Sequence, residues 1–398
     1  MLKEFTKEER KVILSITFAV AVRMLGLFLL LPVLSPYLKT LEGATPQLIG
    51  LAVGIYGLAQ AFLQIPFGYL SDLYGRKPII VFGMLSYVVG SVLGGLANSI
   101  WSMVIARFIQ GFGAVSSAMT ALTADLTRPE VRTRAFAHIG ASIGLVFAFS
   151  ITFAPLLAGK LGVPFLFYLT ALLSLVATLL VAFGVPEPQR REREIKPSVK
   201  NLRLLLKDKN QLFLNFSIGL LHAYLVSIFT VVPYRLVYEH HFPKLEHWKV
   251  YLPSVLLSLA VMVPAIVLAE RRRRFKEVFY LGVLFLALAF LFYWLERSFW
   301  GIVLMVFFFF LGFNFLEALI PSLLTKLTHQ DLRGLSLGFY NTNQFVGAFL
   351  GGLWGGFALR HGDVFLTLGG FLSALVWLYL AFVWFLSVEL PLREGRSA

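Results

Sequence analysis

The chain has 398 residues, 58% of them hydrophobic and only 14% charged, against roughly 25% charged residues in a soluble domain. A formal charge of +14 would suit a nucleic-acid binder, but the basic residues fall in short stretches between long apolar runs, as membrane topology demands. No cysteine is present, so disulfides and thiolate metal sites are excluded.

Met1 to Lys11 is charged and leads into an apolar run too long for a signal-peptide core, so it reads as a retained first helix. Twelve spans are predicted, near residues 12–38, 46–70, 78–98, 100–122, 133–158, 163–185, 211–235, 248–269, 277–296, 298–324, 333–359 and 362–387. Each reaches about the 20 residues needed to cross a bilayer. The N-terminus, the even-numbered loops and the C-terminal tail, with the span ends next to them, hold 26 of the 35 Lys and Arg; the opposite loops and adjoining span ends hold 7, and Arg23 and Arg107 lie deep in the membrane. That bias places both termini in the cytoplasm.

Two copies of one unit are visible. Pro66 and Asp72 are echoed by Pro264 and Glu270, and Leu126 to Arg132 by Leu327 to Arg333. The sequence thus predicts an all-α integral membrane protein whose twelve transmembrane helices form two pseudo-symmetric six-helix bundles, with a path at the repeat interface. The first bundle is 1–185, a linker is 186–210, and the second bundle is 211–398. The linker is basic, with Arg190, Arg191, Arg193 and Lys196. Its later part, Asn201 to Lys209, reads as a solvated segment or as a short amphipathic helix on anionic headgroups.

Polar groups inside the spans are few. Arg23 lies in the first, Gln60 and Gln64 in the second, and Arg107 and Gln110 in the fourth, where Gly111 and Ala114 continue the same helix face. A charge at such depth is costly unless it faces a cavity or a partner, so these groups are expected to point inward. His222, mid-span in the seventh helix, can relay a proton or serve as a hydrogen-bonded structural group. Glu317, in the tenth, is the one carboxylate well inside an apolar run; Asn314 shares its face, and Pro321 bends the helix there. Glu317 suits a group that gains and loses a proton in each cycle, or a structural partner for a basic or amide group such as Arg23. Asn341 and Gln344 in the eleventh span line the path or bridge helices, near the small-residue ladder Gly347, Gly351 and Gly355. Glu317, Arg107, Arg23 and His222 are therefore the expected proton-coupling residues, and Gln60, Gln64, Gln110, Asn314, Asn341 and Gln344 the expected substrate path. Asp125 and Glu130 are expected to pair with Arg132 or Arg134. His240, His241 and His247 share an outer loop but lack helical ligand spacing or a carboxylate cluster, so no metal is expected.

Between the second and third spans stands Gly68-Tyr69-Leu70-Ser71-Asp72-Leu73-Tyr74-Gly75-Arg76-Lys77. It resembles the loop 2–3 signature of the major facilitator superfamily, with Leu73 where that family has Arg or Lys. The resemblance implies that Gly68, Asp72, Gly75, Arg76 and Lys77 form a cytoplasmic gate, and that Asp72 meets the start of the eleventh helix near Arg333 when the outer side is open. Arg107-x-x-Gln110-Gly111-x-Gly113-Ala114 resembles the family's fourth-helix motif, whose Arg is associated with proton coupling; a structural Arg is the alternative. In the fifth span Gly140, Gly144, Ala154-Pro155 and Gly159 partly match the antiporter motif, and helix packing explains them nearly as well.

Arg23 to Gly26, Leu51 to Asp72, His247 to Leu252, Phe313 to Leu323 and Gly338 to Gly352 together resemble the YajR-type branch of drug/proton antiporters of Gram-negative bacteria, over nearly the whole chain. That branch carries a soluble domain after the twelfth helix; this sequence stops at Ala398, so the domain is expected to be absent. The resemblance implies an inner-membrane, proton-driven exporter of hydrophobic or cationic compounds working by alternating access. The proton gradient is its energy source and no cofactor is expected. The expected partners are a small-molecule substrate and the bilayer, not nucleic acid, and the expected state is a monomer. Two alternatives stay open: a symporter or facilitator for an anionic metabolite, favoured by Arg23 and Arg107, and a lipid or lysophospholipid flippase, suggested by Phe-rich faces such as Phe307 to Phe310. No nucleophile–base pair or phosphate loop appears, so an enzyme is not expected.

Overall fold

In the computed structural model, residues 5–188, 199–329 and 332–388 are described; the linker residues Arg190, Arg191, Arg193 and Lys196 lie outside them. Among the described residues there are fifteen α-helices and no strand. They are α1 (Lys7–Leu30), α2 (Leu34–Leu38), α3 (Pro46–Tyr74), α4 (Arg76–Leu96), α5 (Ile100–Gln110), α6 (Ser116–Asp125), α7 (Pro129–Leu161) and α8 (Val163–Gly184). There follow α9 (Val199–Lys207), α10 (Lys209–Tyr238), α11 (Trp248–Arg272), α12 (Phe275–Leu295), α13 (Phe299–Leu327), α14 (Arg333–His361) and α15 (Val364–Ser387).

Local chemistry sets the helix ends. Thr6 and Glu9 form a capping box at the start of α1. Thr45 caps α3 by accepting from the Leu48 amide, and Pro46 opens its first turn. Gly75 and Gly162, at φ +105° and +83°, end α3 and α7 in backbone that glycine alone adopts freely.

Two spans differ from the sequence expectation. The first is interrupted between Leu30 and Leu34, where Pro32 has no amide hydrogen to continue the ladder. The fourth is not one helix over 100–122 but α5 and α6 with a non-helical Gly111–Val115 between them. Two glycines within three residues weaken a helix by about 1 kcal/mol each. Gly111 also packs where a β-carbon would lie 2.8 Å from the Tyr56 carbonyl. Ala114 is buried, yet it does not continue the helix face of Arg107 and Gln110.

Ten helices among the described residues are long and apolar enough to cross a membrane. The two further expected spans are the broken α5–α6 and α14, which is diluted by glycines and by Asn341, Asn343 and Gln344. Large apolar side chains face outward, Phe183 at 84% and Leu145 at 73% exposure, as lipid contact allows.

By internal packing the chain forms two compact units. Unit 1 holds residues 1–192, 223–252 and 348–362; unit 2 holds 193–222, 253–347 and 363–398. Helices α10 and α14 thus divide between them. In unit 1, α1 packs on α7 and α8, α4 on α5 and α8, and α3 on α5. Gly50 and Gly54 of α3 meet Gly352 and Gly356 of α14 backbone to backbone. The Ser35 hydroxyl donates to the Thr230 carbonyl at 2.5 Å, and Lys39 lies over the rings of Tyr234 and Tyr238. In unit 2, α12 packs on α13 and α15, with Phe279, Phe290, Phe309, Phe310 and Trp377 fully buried.

Candidate functional site

In unit 1 the loop motif reduces to a single residue, Gly75, between α3 and α4. The Arg76 guanidinium is 90% buried beneath this turn. It donates to Asp72 one turn back on α3, to the Ser71 hydroxyl at 2.8 Å and to Asp125 of α6 at 3.0 Å. Asp125 therefore pairs with Arg76 and not with Arg132 or Arg134, because the break in the fourth span redirects α6 under the α3–α4 corner. Glu187, just after α8, accepts the Arg76 amide at 2.7 Å and the Lys77 amide at 2.9 Å. A carboxylate on two free amides at a helix N-terminus is favourable in charge and in hydrogen bonding. Gly68 leaves room beside Ser117, whose hydroxyl donates to the Gln64 carbonyl at 3.0 Å. Arg333 starts α14, but its side chain lies outside the described residues.

Deeper in unit 1 the expected path residues form a buried relay. Gln64 donates to Gln60 at 3.1 Å, and Gln60 to the Tyr56 hydroxyl at 3.0 Å. The Arg107 guanidinium lies 4.9 Å from the centre of the Tyr56 ring, a cation–π contact. It donates to Gln110 at 2.5 Å, and Gln110 donates to Ser91 at 2.9 Å. Arg23 donates to the Ser116 hydroxyl at 2.5 Å. The Tyr87 hydroxyl donates to the Arg23 carbonyl at 3.2 Å. Neither arginine makes an ion pair among the described residues, and Arg23 Nε and Nη1 and Arg107 Nε have no partner in the structure. Two guanidiniums held by neutral groups leave this interior strongly positive.

In unit 2 two of the four expected proton-coupling groups meet. His222 Nε2 on α10 lies 3.1 Å from Glu317 Oε2 on α13. Gln344 Nε2 on α14 lies 3.0 Å from the same ring nitrogen. Phe313 stands edge-on to the imidazole at 5.8 Å. His222 is nearly enclosed, while the Glu317 side chain stays 36% exposed. Asn314 donates to the Ser258 hydroxyl at 2.7 Å, tying α13 to α11 instead of reaching Glu317. Asn341 is half-buried on α14, one turn before Gln344. The carboxylate partner expected for Arg23 is thus engaged with His222 in unit 2, and Arg23 is held by Ser116 in unit 1.

Sequence reasoning missed Asp125, Glu187, Tyr56 and Ser116 as participants. The Arg76–Asp125 pair spans 49 positions and the Glu187 cap 111, distances at which sequence gives no signal without a fold. Among the described residues no group of three or more His, Asp or Glu is placed to hold a metal. His247 is instead stacked on Phe242.

Comparison with known proteins bears on this arrangement. The model of the Major Facilitator Superfamily matches residues 16–352. The inner membrane transport protein YajR of Escherichia coli (strain K12) is 40% identical over 401 residues, covering 98% of this chain and 88% of that protein. The multidrug resistance protein MdtH of Salmonella arizonae is 26% identical over 350 residues, covering 85% of this chain and 84% of that one. Among solved structures, a bacterial homolog of the human lysosomal transporter Spinster, in an inward-facing and unoccupied conformation, superposes with a TM-score of 0.77. It covers 96% of this chain and 98% of its own at 15% identity, which speaks to the fold alone.

Proposed function

The chain belongs to the major facilitator superfamily, as a multi-pass membrane transporter of the YajR type and not an enzyme, and from that premise we propose that it is a proton-coupled exporter of hydrophobic or cationic compounds. It works by alternating access in a bacterial inner membrane, with both termini cytoplasmic, as a monomer driven by the proton gradient. The observation that carries the reading is the His222–Glu317 contact, a 3.1 Å imidazole–carboxyl pair within apolar helices. Such a pair binds and releases one proton with little rearrangement. The partly exposed carboxyl gives that proton a route to water. The name of the MdtH relative supports a drug-like substrate. The Arg76 network supports a gate: Asp72 leaves Arg76 for the start of α14 when the outer side opens.

Counterflow and gradient-driven export in proteoliposomes test the proposal. Glu317→Gln is expected to keep counterflow and to lose acceleration by an imposed pH difference. Export by that variant that still follows the gradient removes Glu317 from the mechanism.

One observation favours a second reading, transport of an anionic metabolite: Arg23 and Arg107 are buried without an ion pair. Counterflow of organic anions that disappears in Arg107→Met, with cationic dyes not exported, would select it.

A further inference from the structure

The contacts on His222 contain a conflict that identifies a further working residue. An imidazole nitrogen has one in-plane site, which holds either a hydrogen or a lone pair. Two groups address that site on His222 Nε2: Glu317 Oε2 at 3.1 Å and Gln344 Nε2 at 3.0 Å. An amide NH2 only donates. With that group on it, Nε2 carries its lone pair. An ionised carboxylate on the same atom would set lone pair against lone pair, so the Glu317 oxygen brings the hydrogen of the contact itself. The opposite state needs the opposite partner. When Nε2 carries the hydrogen and Glu317 is anionic, an amide turned by half a rotation offers its carbonyl oxygen to Nε2–H. A terminal amide presents a donor on one side and an acceptor on the other, and so serves both states from one position.

We propose that Gln344 is a positioning residue for proton coupling, whose amide orientation follows the proton between Glu317 and His222. The transfer breaks the Glu317 O–H bond and forms the His222 Nε2–H bond, leaving an anionic carboxylate and a cationic imidazole, with no other reactant. Gln344 sits on α14, so the position of the proton is expressed as a hydrogen-bond preference on that helix. The ionisable group next to Gln344 on α14 is Tyr340, one turn earlier, which is buried and whose hydroxyl has no hydrogen-bond partner among the described residues. Glu317 makes no ion pair with Lys or Arg among the described residues.

The inference rests on the His222–Glu317 proton reading, and its test separates the two. Infrared difference spectra of the full-length transporter in proteoliposomes, in the pH range of export, are compared with those of E317Q, Q344M and Q344L. E317Q identifies the carboxylic-acid C=O band of Glu317 by removing it. Q344M is expected to lose the same band at an unchanged melting temperature, because Nε2 without an amide donor takes the proton. Q344L likewise offers no donor and loses the band too, so the test survives if Q344M fails to fold. Absence of the band from the wild type, or its persistence in both Gln344 variants, overturns the role of Gln344. Gradient-driven export by E317Q instead sinks the underlying reading.

Discussion

Gly75 sits at φ +105° and ψ 154°, in a region closed to side chains, and a β-carbon there would lie 2.9 Å from Glu187 Oε1. Gly75→Ala should therefore cost about 1–3 kcal/mol from backbone strain. It should also push Glu187 off the amides of Arg76 and Lys77. Glu187→Gln keeps the shape but weakens the cap on an exposed surface, a loss of about 0.5–1 kcal/mol. The measurable order is a melting temperature that falls more for Gly75→Ala than for Glu187→Gln; the reverse order would mean that the cap and not the turn fixes this corner. The Gly68–Lys77 motif was legible in sequence because its spacing is local. Glu187 was not, because a carboxylate in a Pro-Glu-Pro stretch looks like any solvated linker residue until α8 brings it back to α4. His222 and Glu317 were each legible as ionisable groups stranded in apolar helices, whereas their contact spans 95 positions and became visible only through the fold.

Among the elements, the fourth span shows where helix length misleads. Its apolar run is long enough to cross in one piece, yet the Gly111–Val115 break turns α6 so that Asp125 reaches Arg76. Hydropathy reports how apolar a stretch is and is blind to a backbone that two glycines release. The α3–α14 crossing is the opposite case, since the helices were evident while their backbone contact was not. A β-carbon on Gly54 would lie 2.7 Å from the Phe349 carbonyl. Gly54→Val forces these helices apart, an overpacking cost of about 1–3 kcal/mol. The variant is expected to reach the membrane at normal levels and to lose most of its transport rate. Undiminished transport would show that this crossing can open without consequence.

For the molecule as a whole, the orientation expected from the charge bias is open to direct test, because there is no cysteine to remove. In intact cells an impermeant maleimide should leave Lys7→Cys unlabelled and label Lys244→Cys, and permeabilisation should expose both. Labelling of Lys7→Cys in intact cells would invert the topology and with it the assignment of the Arg76 corner to the cytoplasmic face. The alternating access proposed above requires that the closed end be tight. Where α3 and α14 touch, Gly50, Gly54, Gly352 and Gly356 place main chain on main chain, with no side chain between them to swing aside. A cell that stores energy as an ion difference is drained by every leak. Liposomes carrying the idle transporter should hold an imposed pH difference for as long as empty ones, and those carrying Gly54→Val should bleed it away.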